Sequence, residues 1–224
     1  AGVWKLLPAD LSGLTISAPE HYSGAITLTI ESVSTETTLS GGEPDMSDNQ
    51  ASTFDEATFA WCPVNDPPVI SVCDAVVKED SSVYIPLEVA LTDRDGSEYL
   101  TIFVSDIPLG WIFSGTDWEP AGAPGSYKIV LAPGDDYFGG FTLAPPPNSD
   151  VDLSDLKITA TSSEIAGGSE SGGGVPAQTV RTIDVIVDAV ADKPTIDALD
   201  RGGRENTPRN VYINAAVTDT DGSE

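Results

Sequence analysis

The residues in this chain best suited to chemistry are carboxylates gathered on a turn. Asp93-Arg94-Asp95-Gly96-Ser97-Glu98 returns as Asp219-Thr220-Asp221-Gly222-Ser223-Glu224, 126 residues later. In each copy, acids at alternate positions stand beside a glycine. A hard cation such as Ca²⁺ needs this arrangement: clustered oxygen donors on a backbone that turns sharply. The same letters also write an acidic, solvated turn, because Asp and Gly favour turns whatever they bind. The motif by itself leaves both readings open.

The bulk charge bears on that choice. Ten Lys and Arg stand against 36 Asp and Glu, a formal net charge of −26. Such a field repels a phosphate backbone, which excludes nucleic acid as a partner, and an anionic membrane surface for the same reason. Carboxylates in this excess repel one another, and bound divalent cations relieve that repulsion. No stretch approaches the roughly 20 apolar residues of a membrane span, so no membrane insertion is expected. Residue 1 does not open a signal peptide, so a soluble chain with any export signal outside it is expected. Two cysteines, Cys62 and Cys73, make no disulfide scaffold. Few cysteines with many Asp, Gly, Thr and Ser suit a secreted bacterial protein stapled by ions, located outside the cell or on its surface.

The elements that must position these acids read as strands. Between Gly2 and Glu36, Val3, Trp4, Leu6, then Leu14-Thr15-Ile16, then Ile26, Leu28 and Ile30 alternate with polar residues. Period two with Thr and aromatics predicts strands with one buried face. Residues 37–52 read as a flexible loop, and a strand over Thr53–Trp61 runs into Pro63-Val64-Asn65-Asp66-Pro67-Pro68, a proline-stiffened boundary. Strands are then expected at Val69–Cys73, Ser82–Val89, Tyr99–Asp106, Trp111–Ser114, Ser126–Leu131, Phe141–Ala144, Asp155–Ser162 and Val180–Val187, with another loop at Ala166–Pro176. No apolar stripe of helical period persists, so helix should be scarce. The fold class is all-β, with tandem antiparallel β-sandwich modules.

The text then starts again. Asn65-Asp66-Pro67-Pro68 matches Ala191-Asp192-Lys193-Pro194, and Glu79-Asp80 matches Glu205-Asn206, both 126 residues on. The first segment matches the middle of the chain: Trp4-Lys5 with Tyr127-Lys128, Gly13-Leu14-Thr15 with Gly140-Phe141-Thr142, and Glu36 with Glu164, at offsets of 123 to 128. A long internal period signifies an array of similar modules. The expected division is 1–64 as the C-terminal part of one repeat, 65–190 as a complete repeat, and 191–224 as the N-terminal part of the next.

These residues resemble the cadherin-like, Ig-like extender repeats of giant bacterial repeats-in-toxin (RTX) adhesins. The resemblance rests on Val64-Asn65-Asp66-Pro67-Pro68 and Val190-Ala191-Asp192-Lys193-Pro194, Glu79-Asp80, the Asp93–Glu98 turn, Ile107-Pro108-Leu109-Gly110, and Ile158-Thr159-Ala160-Thr161 ending near Glu164. It implies a β-sandwich secreted through a type I route, placed in tandem and rigidified by Ca²⁺ near module junctions. Its partners would be neighbouring identical or similar repeats, in tandem or in a polymer, and a cell-surface or matrix ligand engaged through other domains.

Calcium takes about six to eight oxygens at roughly 2.3–2.6 Å, more than one turn supplies. With the recurrence and the family pattern together, the expected ligands are Glu36, Asp66, Glu79, Asp93 and Asp95 around one junction. Glu164, Asp192, Glu205, Asp219 and Asp221 form the second set, with Glu98 and Glu224 as further candidates. The chain has no His/Cys cluster, which favours Ca²⁺ over softer metals. Asp135 and Asp136 read either as another site or as a solvated turn. Trp4, Trp61, Trp111 and Trp118, with Tyr127 and Phe141, read as core more than as a sugar platform, with Trp118 the one expected at the surface. The lone His21 reads as a surface residue. Cys62 and Cys73 pair only if the stiff linker between them folds back.

The function that follows is a Ca²⁺-stiffened extender module of a secreted surface adhesin or extracellular fibre, supporting cell adhesion and biofilm. A carbohydrate- or peptide-binding sandwich is the alternative. Catalysis is not expected, since no nucleophile–base constellation, phosphate-cradling loop or zinc spacing is present.

Overall fold

The computed structural model describes residues 2–36, 49–94, 96–165 and 175–218. It is all-β, and no α-helix occurs among the described residues. The chain forms two compact units, Ala1–Val64 with Glu164–Gly174, and Asn65–Ser163 with Val175–Glu224.

The first unit opens with a 3₁₀ turn at Pro8–Leu11, where Asp10 accepts a hydrogen bond from the Leu7 N–H at 2.8 Å. Strands β1 (Gly24–Thr35) and β2 (Gln50–Trp61) then pair as an antiparallel hairpin, from Gly24 opposite Trp61 to Thr35 opposite Gln50. The strands expected near Val3–Leu6 and Leu14–Ile16 do not form. Trp4 is 84% exposed there. Alternation makes a strand only where a neighbour completes the ladder, and no described strand pairs with this stretch.

The second unit holds β3 (Val69–Ser71), β4 (Ala75–Lys78), β5 (Val83–Ala90), β6 (Glu98–Ser105), β7 (Ile112–Ser114), β8 (Glu119–Pro120), β9 (Tyr127–Val130), β10 (Tyr137–Ala144), β11 (Leu153–Glu164) and β12 (Ala177–Asp188). One sheet has the order β3-β5-β10-β7, the other β4-β12-β11-β6-β9-β8. Period-two alternation turns Ile85, Leu87 and Val89 of β5 inward, with Leu100, Ile102 and Val104 of β6 and Leu156, Ile158 and Ala160 of β11. Phe141 and Leu143 of β10 join them in one buried core. Each of these side chains larger than alanine contributes on the order of 1.5–3 kcal/mol on burial. A further short hairpin pairs β13 (Thr195–Ala198) with β14 (Ile213–Ala216).

Strands β4, β8, β13 and β14 and the start of β10 escaped the sequence pattern. Strand β4 is four residues long and lies parallel to β12, with Ala75 opposite Val185 and Lys78 opposite Asp188. Between β3 and β4 the chain crosses from one sheet to the other, and Asp74 accepts a hydrogen bond from Asp184 N–H at 3.0 Å beside the crossing. Strand β10 begins at Tyr137, ahead of the expected Phe141, because Gly139-Gly140 is part of the strand rather than a break. A Cβ on Gly140 would lie 2.3 Å from the Ile85 carbonyl oxygen. Opposite Pro86, both Gly140 backbone groups bond the Tyr137 hydroxyl at 3.1 Å.

Repetition in sequence is repetition in pairing. Leu28 faces Ala57 and Ser34 faces Ala51 in the first hairpin, as Leu156 faces Ile183 and Ser162 faces Ala177 between β11 and β12. Thr195 faces Ala216 as Val69 faces Ala90.

Candidate metal centre at the first residues of the sandwich

The second unit begins with a linker strapped to one end of the sandwich. Pro67 confines Asp66 to extended backbone. Asp66 N–H donates to Glu98 Oε1 at 3.1 Å, and its carbonyl accepts from the Ser162 hydroxyl at 2.6 Å. Asn65 Nδ2 donates to the Val175 carbonyl at 3.0 Å, and Thr92 Oγ1 to the Pro67 carbonyl at 2.7 Å. The Asp66 side chain is thereby held over the segment that joins β5 to β6.

That segment carries Asp93, three residues past β5, and Glu98, the first residue of β6. Gly96 turns it at φ +84°. Gly134, at φ +78°, packs so closely that a Cβ there would lie 3.1 Å from Gly96 Cα. Gly134 N–H donates to the Glu98 carbonyl at 2.9 Å. Asp136 accepts from Leu91 N–H at 2.8 Å and pairs with Arg94 at 2.6 Å. The Gly134-Asp135-Asp136 turn is therefore a clamp on the acidic segment; only Asp135 fits the solvated description.

A carboxylate oxygen of Asp93 lies within 4.8 Å of one on Asp66 and within 4.8 Å of one on Glu98. Asp93 is 6% exposed and Glu98 1%. Two charges at this separation repel by about 3 kcal/mol at an effective dielectric near 20. A divalent cation between them reverses the sign. Asp93 thus pairs with Asp66 of the linker and with Glu98 of the strand, and each pair offers oxygen donors of the kind Ca²⁺ takes.

The other expected ligands are distributed as follows. Glu36 is exposed in the first unit, just past β1, with its N–H on the Asn49 carbonyl. Glu164 ends β11 and groups with the first unit; its carboxylate oxygens are shut off from solvent. Glu79 is not brought to Asp93. It follows β4, precedes β5, and so stands one whole strand away, roughly 26 Å for eight residues. There its carboxylate accepts from Val190 N–H and its own N–H bonds the Asp188 carbonyl. Asp192 is half-buried and Glu205 exposed beyond β12. Asp95, Asp219, Asp221 and Glu224 lie outside the described residues, as do 37–48 and 166–174 of the two expected loops.

Sequence reasoning overlooked Ser162. Its signal was present: Leu156, Ile158, Ala160 and Ser162 form one inward series, and a hydroxyl at its buried end needs a partner. The tryptophans also exchange roles. Trp118 packs edge-on against Phe113, Tyr137 and Phe141 and donates to Tyr137 Oη at 3.1 Å, whereas Trp4 is the exposed one. His21 is exposed, 3.7 Å from Glu20. Cys62 and Cys73 are exposed free thiols.

No protein-family model matches the chain, and no curated protein is similar to it. Among solved structures, AggA, the major subunit of aggregative adherence fimbriae type I from Escherichia coli, superposes with a TM-score of 0.36 at 12% identity, over 56% of this chain and 98% of its own. The sixth cohesin of Acetivibrio cellulolyticus scaffoldin B gives 0.35 at 10% identity, over 55% and 100%. A non-cellulosomal cohesin from Archaeoglobus fulgidus gives 0.34 at 12% identity, over 56% and 93%. Superpositions this loose do not bear on ligands or partners. The chain's own strands define its class, an all-β sandwich protein.

Proposed function

We propose that the chain is a structural module of a secreted or cell-surface adhesin or extracellular fibre, stiffened by Ca²⁺ at Asp66, Asp93 and Glu98. In this reading 1–64, 65–190 and 191–224 are parts of successive repeats. The observation that carries it is the position of Asp93, with carboxylate oxygens within 4.8 Å of one on Asp66, on the linker itself, and of one on Glu98. The cation would join the linker to the sandwich through a side chain where Ser162 and Glu98 already hold its backbone. It supplies charge neutralisation and cross-linking, and no reaction is assigned to it. The acidic excess and the 126-residue recurrence support the same reading.

Calcium titration of the whole chain tests it, with NaCl of matched ionic strength controlling for screening. At about 100 times its dissociation constant, the ion should add about 2.7 kcal/mol, a rise in Tm on the order of 10 °C. Asp93→Asn and Glu98→Gln should remove most of that rise, while Asp200→Asn, at an exposed position, keeps it. A Tm and hydrodynamic radius that are the same in calcium and in excess chelator would sink the proposal.

A further inference from the structure

The outer face of the four-stranded sheet carries an open groove of about 620 Å³ that the calcium reading does not use. Its layout follows from strand register. Tyr84 of β5 stands opposite Thr142 of β10, Pro86 opposite Gly140, and Glu88 opposite Phe138. Ser114 of edge strand β7 stands opposite Thr142 on the far side. The backbones of Tyr84 and Phe138 thus stand at two ends of a trough, about 13 Å apart along the strands. The two residues are 57% and 72% exposed.

The floor is shaped to present one of those rings. A Cβ on Gly140 would lie 2.6 Å from Tyr84 Oη and 2.7 Å from Cζ, so the Tyr84 ring lies against the glycine. With its tip seated there and 57% of its surface exposed, Tyr84 offers ring area to solvent. One wall is the segment Ser114–Asp117, with hydroxyls at Ser114 and Thr116 and a carboxylate at Asp117. Asp117 holds φ +65°, a conformation Asp tolerates better than most residues. The wall is fixed from below, because the next residue, Trp118, is embedded among Phe113, Tyr137 and Phe141 and covers Gly115.

We propose that this groove binds a short neutral oligosaccharide. A sugar ring shows a C–H face that packs on an aromatic face and a rim of hydroxyls that bond carboxylates and hydroxyls. Tyr84 and Phe138 match the first, and Asp117, Thr116, Ser114 and Thr142 the second. Asp117 and the net charge of −26 disfavour acidic glycans. The wall is positioned before binding, which lowers the ordering cost of capture.

The test is a glycan array probed with the whole chain, followed by calorimetry on the strongest neutral oligosaccharide. Tyr84→Ala and Asp117→Asn should each weaken binding about tenfold or more, and Tyr84→Phe, which keeps the ring, should retain it. Tyr99→Ala, on the other sheet, should bind like the parent. Thermal melts of each variant separate lost binding from lost folding. No neutral glycan bound, binding indifferent to Tyr84→Ala in a folded variant, or capture of cationic peptides in preference to sugars would each overturn the proposal.

Discussion

Asp80 and Asn206 occupy matching positions 126 residues apart and share a left-handed backbone, with φ of 56° and 62°. From the letters alone, Asn206 in place of the aspartate of Glu79-Asp80 suggests that the two junctions differ. The backbone gives another cause: Asp and Asn are the side chains that best tolerate this conformation, and either can accept the hydrogen bond that Asp80 takes from Asn148 N–H at 2.9 Å. The carboxylate charge at Asp80 is therefore dispensable and the φ is not. Asp80→Asn should change stability by less than about 0.5 kcal/mol in denaturant unfolding, and Asp80→Val should cost about 1–3 kcal/mol. Its neighbour Glu79 was singled out by its recurrence at Glu205, as a ligand expected beside Asp93. Its separation from Asp93 was not legible, because a carboxylate's type says nothing about which end of an eight-residue strand it occupies. Asp66, Asp93 and Glu98 were singled out by type, recurrence and the family pattern together, and the structure sets an Asp93 oxygen within 4.8 Å of one on each of the other two. Asp136, which holds their turn in place, was hidden because its partners Leu91 and Arg94 lie over forty residues upstream.

Among the elements, the strands with clean alternation, such as β5 and β6, could be read directly from Ile85-Pro86-Leu87-Glu88-Val89 and Leu100-Thr101-Ile102. Strand β4 was unreadable because what makes it a strand is β12, more than a hundred residues later. Strand β10 misled because Gly139-Gly140 carries the usual mark of a turn. Its glycines are required by close approach: Tyr137 lies over Gly139, and the Ile85 carbonyl and Tyr84 lie against Gly140. Gly140→Ala should therefore cost at least about 3 kcal/mol, read from the urea midpoint, since the nearest atom is backbone and has no rotamer to yield. Tyr137→Phe keeps the ring and removes the hydroxyl that serves Gly140 and Trp118; about 1–3 kcal/mol is expected in the same assay. A Gly140→Ala variant that melts like the parent would contradict the close packing described.

The two units differ in what supports them. The second has a buried core drawn from both sheets, whereas the described strands of the first form one two-stranded hairpin with Ile30, Val33 and Phe54 exposed. A lone hairpin is marginal in water. Limited proteolysis should therefore cut within residues 1–64 first and leave a resistant fragment starting near Asn65, identified by its intact mass; first cuts inside β5–β12 would contradict this. The matched registers carry a consequence for heredity. Because Ser34–Ala51 and Ser162–Ala177 are equivalent pairs, a genetic exchange that deletes or duplicates one period joins strands to the same kind of neighbour, face to matching face. An exchange off by a single codon within a strand would turn every following side chain of that strand to the wrong side. Length is thus free to evolve in whole periods, while the reading of inside and outside along each strand is not.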